Sequence, residues 1–424
     1  MRELTENQIR QIHALSVMLG LGMTGITLVA AKPLAVFFHK PELVAVVPVM
    51  GLGFAISGFR VVPLSLLARD LRFKAISSIE AGTAIIQSLV SVLLAWLGLR
   101  YWALIIGSLT AAMFCSVRFS IVSPCRFKRP IFQQVREQLA YSHRILVSRA
   151  AWYGYSNADF VVAGRILGGS ALGVYTMAWN LANQPVDRIV TLILRITPSV
   201  FSAVQHDSAE LKRYLRVVTE GMALVLFPVG FGIALVADVA VPTLFDKRWA
   251  GVAIPVRMLA ICAVIRCLVS VSTQVQETIR DVRYTMWQSL LCLAVLPASF
   301  WYGSRWGANG IAMAWLMCYP ILCLPPVLRT LHKIQMAKRE YLKSLLPAGM
   351  ASMVMAAAVL SLRHSIQGLR PLVQLMLDAG LGAAVYVGVL LVFFRSRVDA
   401  FRGLAKRQRS RVCGNEISTV EAAT

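Results

Sequence analysis

Apolar runs of about 20 residues follow one another from end to end of this chain, and this pattern constrains its fold more than any other feature. A helix of roughly 20 apolar residues is long enough to cross the hydrocarbon core of a bilayer. Because lipid leaves no partner for free backbone groups, the pattern predicts an all-α polytopic membrane protein. The twelve predicted spans are 12–31, 43–62, 76–97, 101–122, 142–163, 173–200, 215–237, 252–275, 284–302, 307–328, 345–362 and 371–394.

Composition supports a membrane protein and argues against a nucleic-acid partner. Hydrophobic residues make up 57% of the 424 residues and charged residues 15%, with a mean hydropathy of +0.66. Soluble domains carry about 25% charged residues. The net charge of +23 comes from Lys and Arg in loops and tail rather than from a basic soluble domain. We therefore attribute the charge to membrane orientation and expect no nucleic-acid binding.

The predicted loops fall into two sets, one rich in Lys and Arg and the other poor in them. The rich set includes the segments around 69–74, 126–136 and 329–343, and both termini belong to it. By the positive-inside rule, both termini are predicted to lie in the cytoplasm, and an even number of spans agrees with this.

The sixth predicted span carries a continuous polar stripe. Its polar residues recur at steps of three or four, which places them on one helix face, with Arg188 beside them. A charge near the bilayer centre costs roughly 2.5–3.5 kcal/mol on insertion scales, so this face should meet protein or water. Such a face suits the passage of a polar, anionic molecule. The stripe consists of Thr176, Asn180, Gln184, Asp187, Thr191 and Arg195.

Further polar groups lie in other spans, and each has more than one interpretation. Arg60 and Arg149 lie near span ends, where snorkelling to the headgroups explains an arginine equally well. A structural ion pair between Asp159 and Arg188 is an alternative to a path lining. An arginine suits a pyrophosphate or a carboxylate through its planar fork of donors. The predicted substrate-binding residues are Arg60, Arg149, Asn157, Asp159, Asn180, Gln184, Asp187, Arg188, Thr191, Arg195 and Arg266.

Signatures of catalysis and of metal binding are absent from the sequence. There is no G-x-x-x-x-G-K-[ST] phosphate loop and no Cys-x-x-Cys pair, and the six histidines show no ligand spacing. No predicted loop is long enough to hold a catalytic domain. We therefore predict no catalytic residue, no metal site and no cofactor, and we expect a protein that is not an enzyme.

Several segments resemble the oligosaccharide flippase family of the multidrug/oligosaccharidyl-lipid/polysaccharide superfamily. The most specific is a D-x-x-x-x-G-R-x-L-G block that runs from Asp159 to Gly168. The likeness extends over essentially the whole chain. The other similar segments are Val62–Lys74, Tyr101–Leu104, Ala178–Asn183 and Phe245–Trp249.

The resemblance implies two lobes around a central cavity. The lobes correspond to 1–122, with four spans, and 142–331, with six, and two extra spans follow at 332–394. An interfacial linker helix is predicted at 123–141 and a basic cytoplasmic tail at 395–424. Family members begin with two further spans, so the first lobe is expected to be incomplete. Arg188 and Arg195 would lie on the second helix of the second lobe.

The resemblance also implies a function. It implies flipping of polyprenyl-diphosphate-linked oligosaccharide repeats across the bacterial inner membrane by alternating access, for O-antigen, exopolysaccharide or capsule synthesis, without ATP. The implied partners are the lipid-linked glycan, membrane lipid and the polysaccharide polymerase machinery. Two alternatives stay open: an ion-coupled drug antiporter, which would need a buried acidic site, and a membrane glycan polymerase, which usually needs a large external loop.

Overall fold

The computed structural model describes residues 6–70, 72–125, 132–194, 207–245, 247–279, 281–365 and 370–393, and this part of the chain is almost entirely helical. Short turns of tighter or wider helix at Ala163–Leu167, Lys247–Val252 and Ser304–Trp306 connect or extend the main helices. The helices are α1 (Glu6–Phe38), α2 (Leu43–Gly58), α3 (Val61–Arg69), α4 (Phe73–Trp96), α5 (Tyr101–Val122), α6 (Phe132–Val162), α7 (Gly168–Leu194), α8 (Ser208–Leu244), α9 (Ala253–Thr278), α10 (Val282–Gly303), α11 (Gly307–Lys333), α12 (Lys338–Ser365) and α13 (Pro371–Phe393).

The apolar segments agree with the predicted spans. Within the described residues, 10 helical segments are long and apolar enough to cross a membrane. Two of them, Leu146–Thr191 and Val282–Lys333, each overlap two of the predicted spans, joined by a short turn. The chain is therefore an all-α, multi-pass membrane protein.

The chain divides into two compact units, residues 1–140 and 141–424. The predicted linker at 123–141 and the fifth span at 142–163 are not separate helices, because α6 runs without interruption from Phe132 to Val162. No Gly or Pro occurs between residues 132 and 153 to end a helix there. The lobe boundaries inferred from the resemblance stay a prediction, and the basic tail at 395–424 lies outside the described residues.

In the first unit, α1 and α2 approach closely through small residues. The Ser16 hydroxyl donates to the Gly58 carbonyl at 2.8 Å, and the Thr24 hydroxyl donates to the Gly51 carbonyl at 2.7 Å. Gly20 lies between them on the same face of α1, as expected for residues four apart. Small residues and hydroxyls are the usual means of helix association in lipid, where burial of apolar side chains gives little advantage.

Replacing Gly20 with valine is expected to destabilise this helix pair by about 1–3 kcal/mol, because a Cβ there has no room. That atom would lie 2.6 Å from the Phe54 carbonyl oxygen. Gly22, on the exposed face of the same helix, has nothing within 4 Å of its Cβ position, so Gly22→Val is the matched control. Thermal melting of the detergent-solubilised protein measures the difference, and equal melting temperatures for the two variants would refute the close contact.

In the second unit, α9 is the central helix and packs against α7, α8 and α11. Much of its surface is buried, including Val256, Leu259, Val271 and Val275. The last two helices, α12 and α13, pack on each other and on α8. The central position of α9 matters for the site, because any polar group on it is held inside the unit.

Prolines inside two helices free carbonyl groups that side chains from neighbouring helices then bind. Pro326 has no N–H for the carbonyl of Leu322, and the Gln288 amide donates to that oxygen at 2.6 Å. Pro228 similarly frees the carbonyl of Leu224, four residues earlier, which accepts a 2.8 Å hydrogen bond from the Tyr386 hydroxyl. These bonds matter in a bilayer because each unsatisfied backbone group there costs several kcal/mol.

A charged cluster holds the loop between α9 and α10 against the end of α11. Asp281 Oδ2 accepts from Arg329 Nε at 2.7 Å and lies 2.9 Å from Lys333 Nζ. Burial raises the pKa of Asp281, but hydrogen bonds and charges from these two partners outweigh it and hold that pKa below its ordinary value. Such a carboxyl stabilises the fold above its unfolded pKa, and its contribution is lost as pH falls through the folded pKa.

Acidification from about pH 7 to about pH 3 is therefore expected to lower the melting temperature of the wild type more than that of Asp281→Asn. At neutral pH the variant should be less stable by about 1 kcal/mol, the upper range for a partly exposed ion pair. Asp70→Asn, at an exposed position after α3, should keep the wild-type dependence on pH. Identical pH profiles for wild type and Asp281→Asn would contradict the assignment.

Candidate functional site

The helix that carries the predicted polar stripe begins at a tight reversal of the chain. Gly168 has a φ of +83°, in the left-handed region that glycine adopts without strain, and α7 starts there. Phe160, before the turn, contacts the rings of Tyr175 and Trp179, after it, with centroids 5.5 Å apart in both pairs. The Asp159–Gly168 block therefore builds the hairpin of α6 and α7 that positions the stripe.

Asp159 lies at the centre of this hairpin and is fully buried. Its Oδ2 accepts hydrogen bonds from the Tyr175 hydroxyl at 2.6 Å and from the Trp315 indole N–H at 2.8 Å. Its Oδ1 accepts from the backbone N–H of Phe160 at 2.9 Å. The proposed ion pair with Arg188 is wrong, because the carboxylate points into the core of the unit. Asp159 fastens α6 to α7 and α11.

Arg266 projects from α9 toward α7, close to the same core. Its guanidinium carbon lies 4.9 Å from the ring centroid of Trp179 and 5.9 Å from that of Trp315. One of its nitrogens is 3.6 Å from Oδ1 of Asp187, the stripe residue on α7. The rings of Trp179 and Trp315 thus pack against the largely buried guanidinium of Arg266, at the edge of the stripe.

The stripe itself lies at the surface of the second unit. Asn180, Gln184, Asp187, Arg188 and Thr191 are exposed. The opposite face of α7 is buried, and its inward residues are Tyr175, Ala178, Ala182, Val186 and Val190. The predicted amphipathic division of this helix is therefore seen in the described residues. Arg195 lies outside them.

Local bonds stiffen the stripe without using all of its polar groups. The Thr191 hydroxyl donates to the carbonyl of Asp187 at 2.7 Å. Arg188 makes no hydrogen bond or ion pair with any other residue that the structure describes. Within the part of the chain that the structure describes, its guanidinium therefore has donors left for a ligand.

The remaining predicted residues have other partners. Arg60 lies in the first unit, before α3, and its guanidinium contacts the Cys115 sulfur at 3.4 Å. Arg149 forms a 3.0 Å ion pair with Glu277, and both side chains are exposed. Asn157 donates to the carbonyl of Tyr153 on its own helix at 2.8 Å. Of the predicted residues of the second unit that the structure describes, it brings together the α7 stripe and Arg266, with Asp159 beneath them.

The contact of Arg266 with Trp179 and Trp315 was not predicted as part of the site. Trp315 belongs to α11, more than a hundred residues from α7 in sequence, and no local pattern connects the two helices. Trp179 stands next to Asn180 in the stripe, but its helical phase turns it toward the core. A buried arginine needs partners, so Arg266 inside an apolar span was the one signal that could have indicated aromatic neighbours.

The exposed face offers chemistry suited to a sugar and to an oxyanion. Amide and hydroxyl groups of Asn180, Gln184 and Thr191 donate to and accept from hydroxyls. Arg188 and Arg266 supply guanidinium forks for phosphate or carboxylate. Within the described residues, no group of three or more His, Cys, Asp or Glu side chains could hold a metal ion.

Comparisons with known proteins place these features in a sequence family. A family model described as "Polysaccharide biosynthesis protein" matches residues 1–254. The teichuronic acid biosynthesis protein TuaB of Bacillus subtilis (strain 168) is 24% identical over 284 residues, which cover 63% of this chain and 56% of TuaB. The succinoglycan biosynthesis transport protein ExoT of Rhizobium meliloti (strain 1021) is 24% identical over 407 residues, covering 94% of this chain and 81% of ExoT.

A third relative and two solved structures extend the comparison. The lipopolysaccharide biosynthesis protein WzxC of Escherichia coli (strain K12) is 21% identical over 335 residues, covering 74% of this chain and 65% of WzxC. An inward closed structure of the lipid II flippase MurJ matches with a TM-score of 0.69 at 12% identity, covering 93% of this chain and 86% of MurJ. An inward-facing multidrug transporter of the MATE family matches with a TM-score of 0.61 at 16% identity, covering 78% and 81%. At these identities the two structures establish a shared fold.

Proposed function

Because this chain belongs to the family of polysaccharide biosynthesis proteins, we propose that it moves a lipid-linked oligosaccharide across the bacterial inner membrane. The substrate would be a polyprenyl-diphosphate-linked repeat unit of a surface polysaccharide. Transport would proceed by alternating access, with both termini in the cytoplasm and without catalysis by the protein. The names of ExoT and WzxC, which refer to transport and to lipopolysaccharide synthesis, support this proposal.

The observation that carries the proposal is the exposed polar face of α7. Hydrophobic helices dominate the chain, yet Asn180, Gln184, Asp187, Arg188 and Thr191 are exposed together on one of them. In lipid such a face would be strongly disfavoured, so it is expected to face a water-filled path. Sugar hydroxyls would exchange hydrogen bonds with the amides and the hydroxyl, while the diphosphate would bind arginine. The polyprenyl tail would remain in lipid.

The drug-antiporter alternative receives less support from the same residues. A cationic drug or a coupling cation requires an available carboxylate. Asp159 is fully buried with both oxygens hydrogen-bonded, and Asp187 already faces Arg266 at 3.6 Å. Among the residues that the structure describes, the charged group of the exposed face without an ion-pair partner is the Arg188 guanidinium, which favours an anionic substrate.

Complementation of an exporter-deficient strain tests the proposal. The full chain should restore surface polysaccharide in a strain lacking the corresponding exporter, scored by gel and by antibody binding. Arg188→Ala should lower the export rate roughly tenfold, because a hydrogen bond to a charged group contributes about 1.5–3 kcal/mol. Arg188→Lys should retain part of the activity, since it keeps the charge but loses the fork.

Arg213→Ala is the matched control for that experiment. Arg213 is an exposed arginine near the start of α8, 3.4 Å from Glu210 and outside the polar face. Its replacement should leave export unchanged at equal protein abundance. Full export by Arg188→Ala would refute substrate binding by the stripe, and a wild-type chain that restores no tested polysaccharide would count against the proposed transport.

A further inference from the structure

Arg266 is held in a fixed position on aromatic rings. Its guanidinium lies 4.9 Å from the centroid of Trp179, and its side chain is 21% exposed. A desolvated cation over an indole is attracted by the negative face of the ring quadrupole. The charge is therefore anchored at the base of the exposed α7 face and does not swing freely into water.

Among the described residues, the ion-pair partner of Arg266 is Asp187, and the contact between them is loose. Its nitrogen lies 3.6 Å from Asp187 Oδ1, whereas charge-assisted hydrogen bonds between N–H and carboxylate are usually about 2.7–2.9 Å long. Among the described residues, no hydrogen bond to the Arg266 guanidinium is found, although this group is a planar fork built to bind an oxyanion at two points. A loose ion pair thus occupies a site where a closer, bidentate ligand would fit.

The Asp187 carboxylate is positioned so that it can move away from Arg266. Asp187 belongs to the exposed stripe, and its side chain is 53% exposed. Turning it toward water therefore requires little desolvation or repacking. Arg266, by contrast, is held by Trp179 and Trp315 and would stay in place. The pair combines a fixed cation with a movable anion.

We propose that Asp187 is a displaceable counter-ion, and that an oxyanion of the substrate takes its place on Arg266. The ligand chemistry is a diphosphate or a sugar carboxylate, and the inference rests on the proposed function for its biological context. In the resting protein Asp187 neutralises Arg266, so an anion that bonds at one point gains little by binding. An oxyanion that bonds the guanidinium at two points competes better, and the exchange makes the site selective for it.

Binding measurements on the purified full chain in lipid nanodiscs test the exchange. The probes are farnesyl diphosphate and glucuronate, titrated by calorimetry. Asp187→Asn should tighten the dissociation constant of the effective probe about tenfold, equivalent to about 1.4 kcal/mol. Asp187→Glu, which keeps the competing charge, should bind like the wild type. Arg266→Gln should abolish binding, and Asp187→Asn should have no further effect in that background.

Two controls separate this exchange from general electrostatics and from misfolding. Glu277→Gln removes a carboxylate of similar exposure, paired with Arg149 on the same unit, and should change affinity by less than about twofold. Arg266→Lys keeps the buried charge without the fork and should weaken binding about tenfold. Asp187→Asn is nearly isosteric at an exposed position, so the main comparison does not depend on variants at Arg266.

Each outcome distinguishes the inference from the proposed function. Unchanged or weaker binding by Asp187→Asn, or no binding of either probe to the wild type, would overturn the counter-ion role. Tighter binding of farnesyl diphosphate assigns the site to the diphosphate, and tighter binding of glucuronate assigns it to the glycan. If Asp187→Asn tightens binding while no polysaccharide is exported in complementation, the counter-ion role stands and the transport proposal fails.

Discussion

Replacing Asp159 with alanine is expected to lower the free energy of unfolding by about 3–5 kcal/mol, because it leaves the Tyr175 hydroxyl and the Trp315 indole N–H buried without an acceptor. Each orphaned donor costs about 1–3 kcal/mol, and the lost carboxyl also leaves a void. Asp159 is 0% exposed, so water cannot replace the missing group. Detergent-induced unfolding, followed by near-ultraviolet circular dichroism of the tryptophans, measures the loss.

Two further variants make this prediction specific. Asp159→Asn keeps an oxygen acceptor for both side-chain donors and should cost only about 1 kcal/mol. Asn157→Ala lies two residues earlier on α6 and removes a side chain whose hydrogen bond, among the described residues, is to Tyr153 on its own helix. It should change stability by less than about 0.5 kcal/mol. A similar loss for Asn157→Ala and Asp159→Ala would mean that the buried hydrogen bonds of Asp159 do not contribute specifically to the free energy of unfolding.

Replacing Arg363 with alanine is expected to cost a similar 3–5 kcal/mol, localised to the last two helices. Arg363 Nε donates to Asp378 Oδ2 at 2.7 Å, and a second nitrogen donates to the carbonyl of Leu235 on α8 at 2.7 Å. The Asp378 side chain is 0% exposed. Removing the arginine leaves a buried carboxyl without its partner and loosens α12 and α13 from α8.

Hydrogen exchange resolves where that loss occurs. Amides of α12 and α13 should exchange faster in Arg363→Ala, while those of α9 keep their protection. The double variant Arg363→Ala/Asp378→Ala should recover part of the stability, since neither group is then left alone. Arg370→Ala, at an exposed position before α13, should behave like the wild type. Uniform acceleration across all helices would contradict a local anchor.

Local properties of the sequence predicted the helices and the polar face of α7. Span length depends on a continuous apolar run, and the stripe depends on a period of three to four residues, so both can be seen within one segment. The exposed positions of Asn180, Gln184 and Arg188 follow from that period. The continuity of α6 was not predicted, because its first part is charged and amphipathic and its second part is apolar. The two parts form one helix since no glycine or proline separates them.

Contacts between distant segments could not be predicted in the same way. Asp159 was considered as a partner for Arg188, yet its partners are Tyr175 across the hairpin turn and Trp315 on α11. The ion pair of Arg363 with Asp378 could not be predicted either, because a lone aspartate in an apolar run does not reveal which helix will face it. Tertiary packing decides such pairs, and a single sequence carries no direct record of it.

The bond from Gln288 to the carbonyl that Pro326 frees also bears on how the protein is made. α10 and α11 are consecutive, and only the short turn Ser304–Trp306 joins them. If α11 entered lipid by itself, its broken backbone would meet hydrocarbon at Leu322, whereas beside α10 that oxygen already has its donor. Insertion is therefore favoured when these two helices enter the lipid together as one hairpin. Because α10 is synthesised first, the donor for the carbonyl that Pro326 frees is already present when α11 follows.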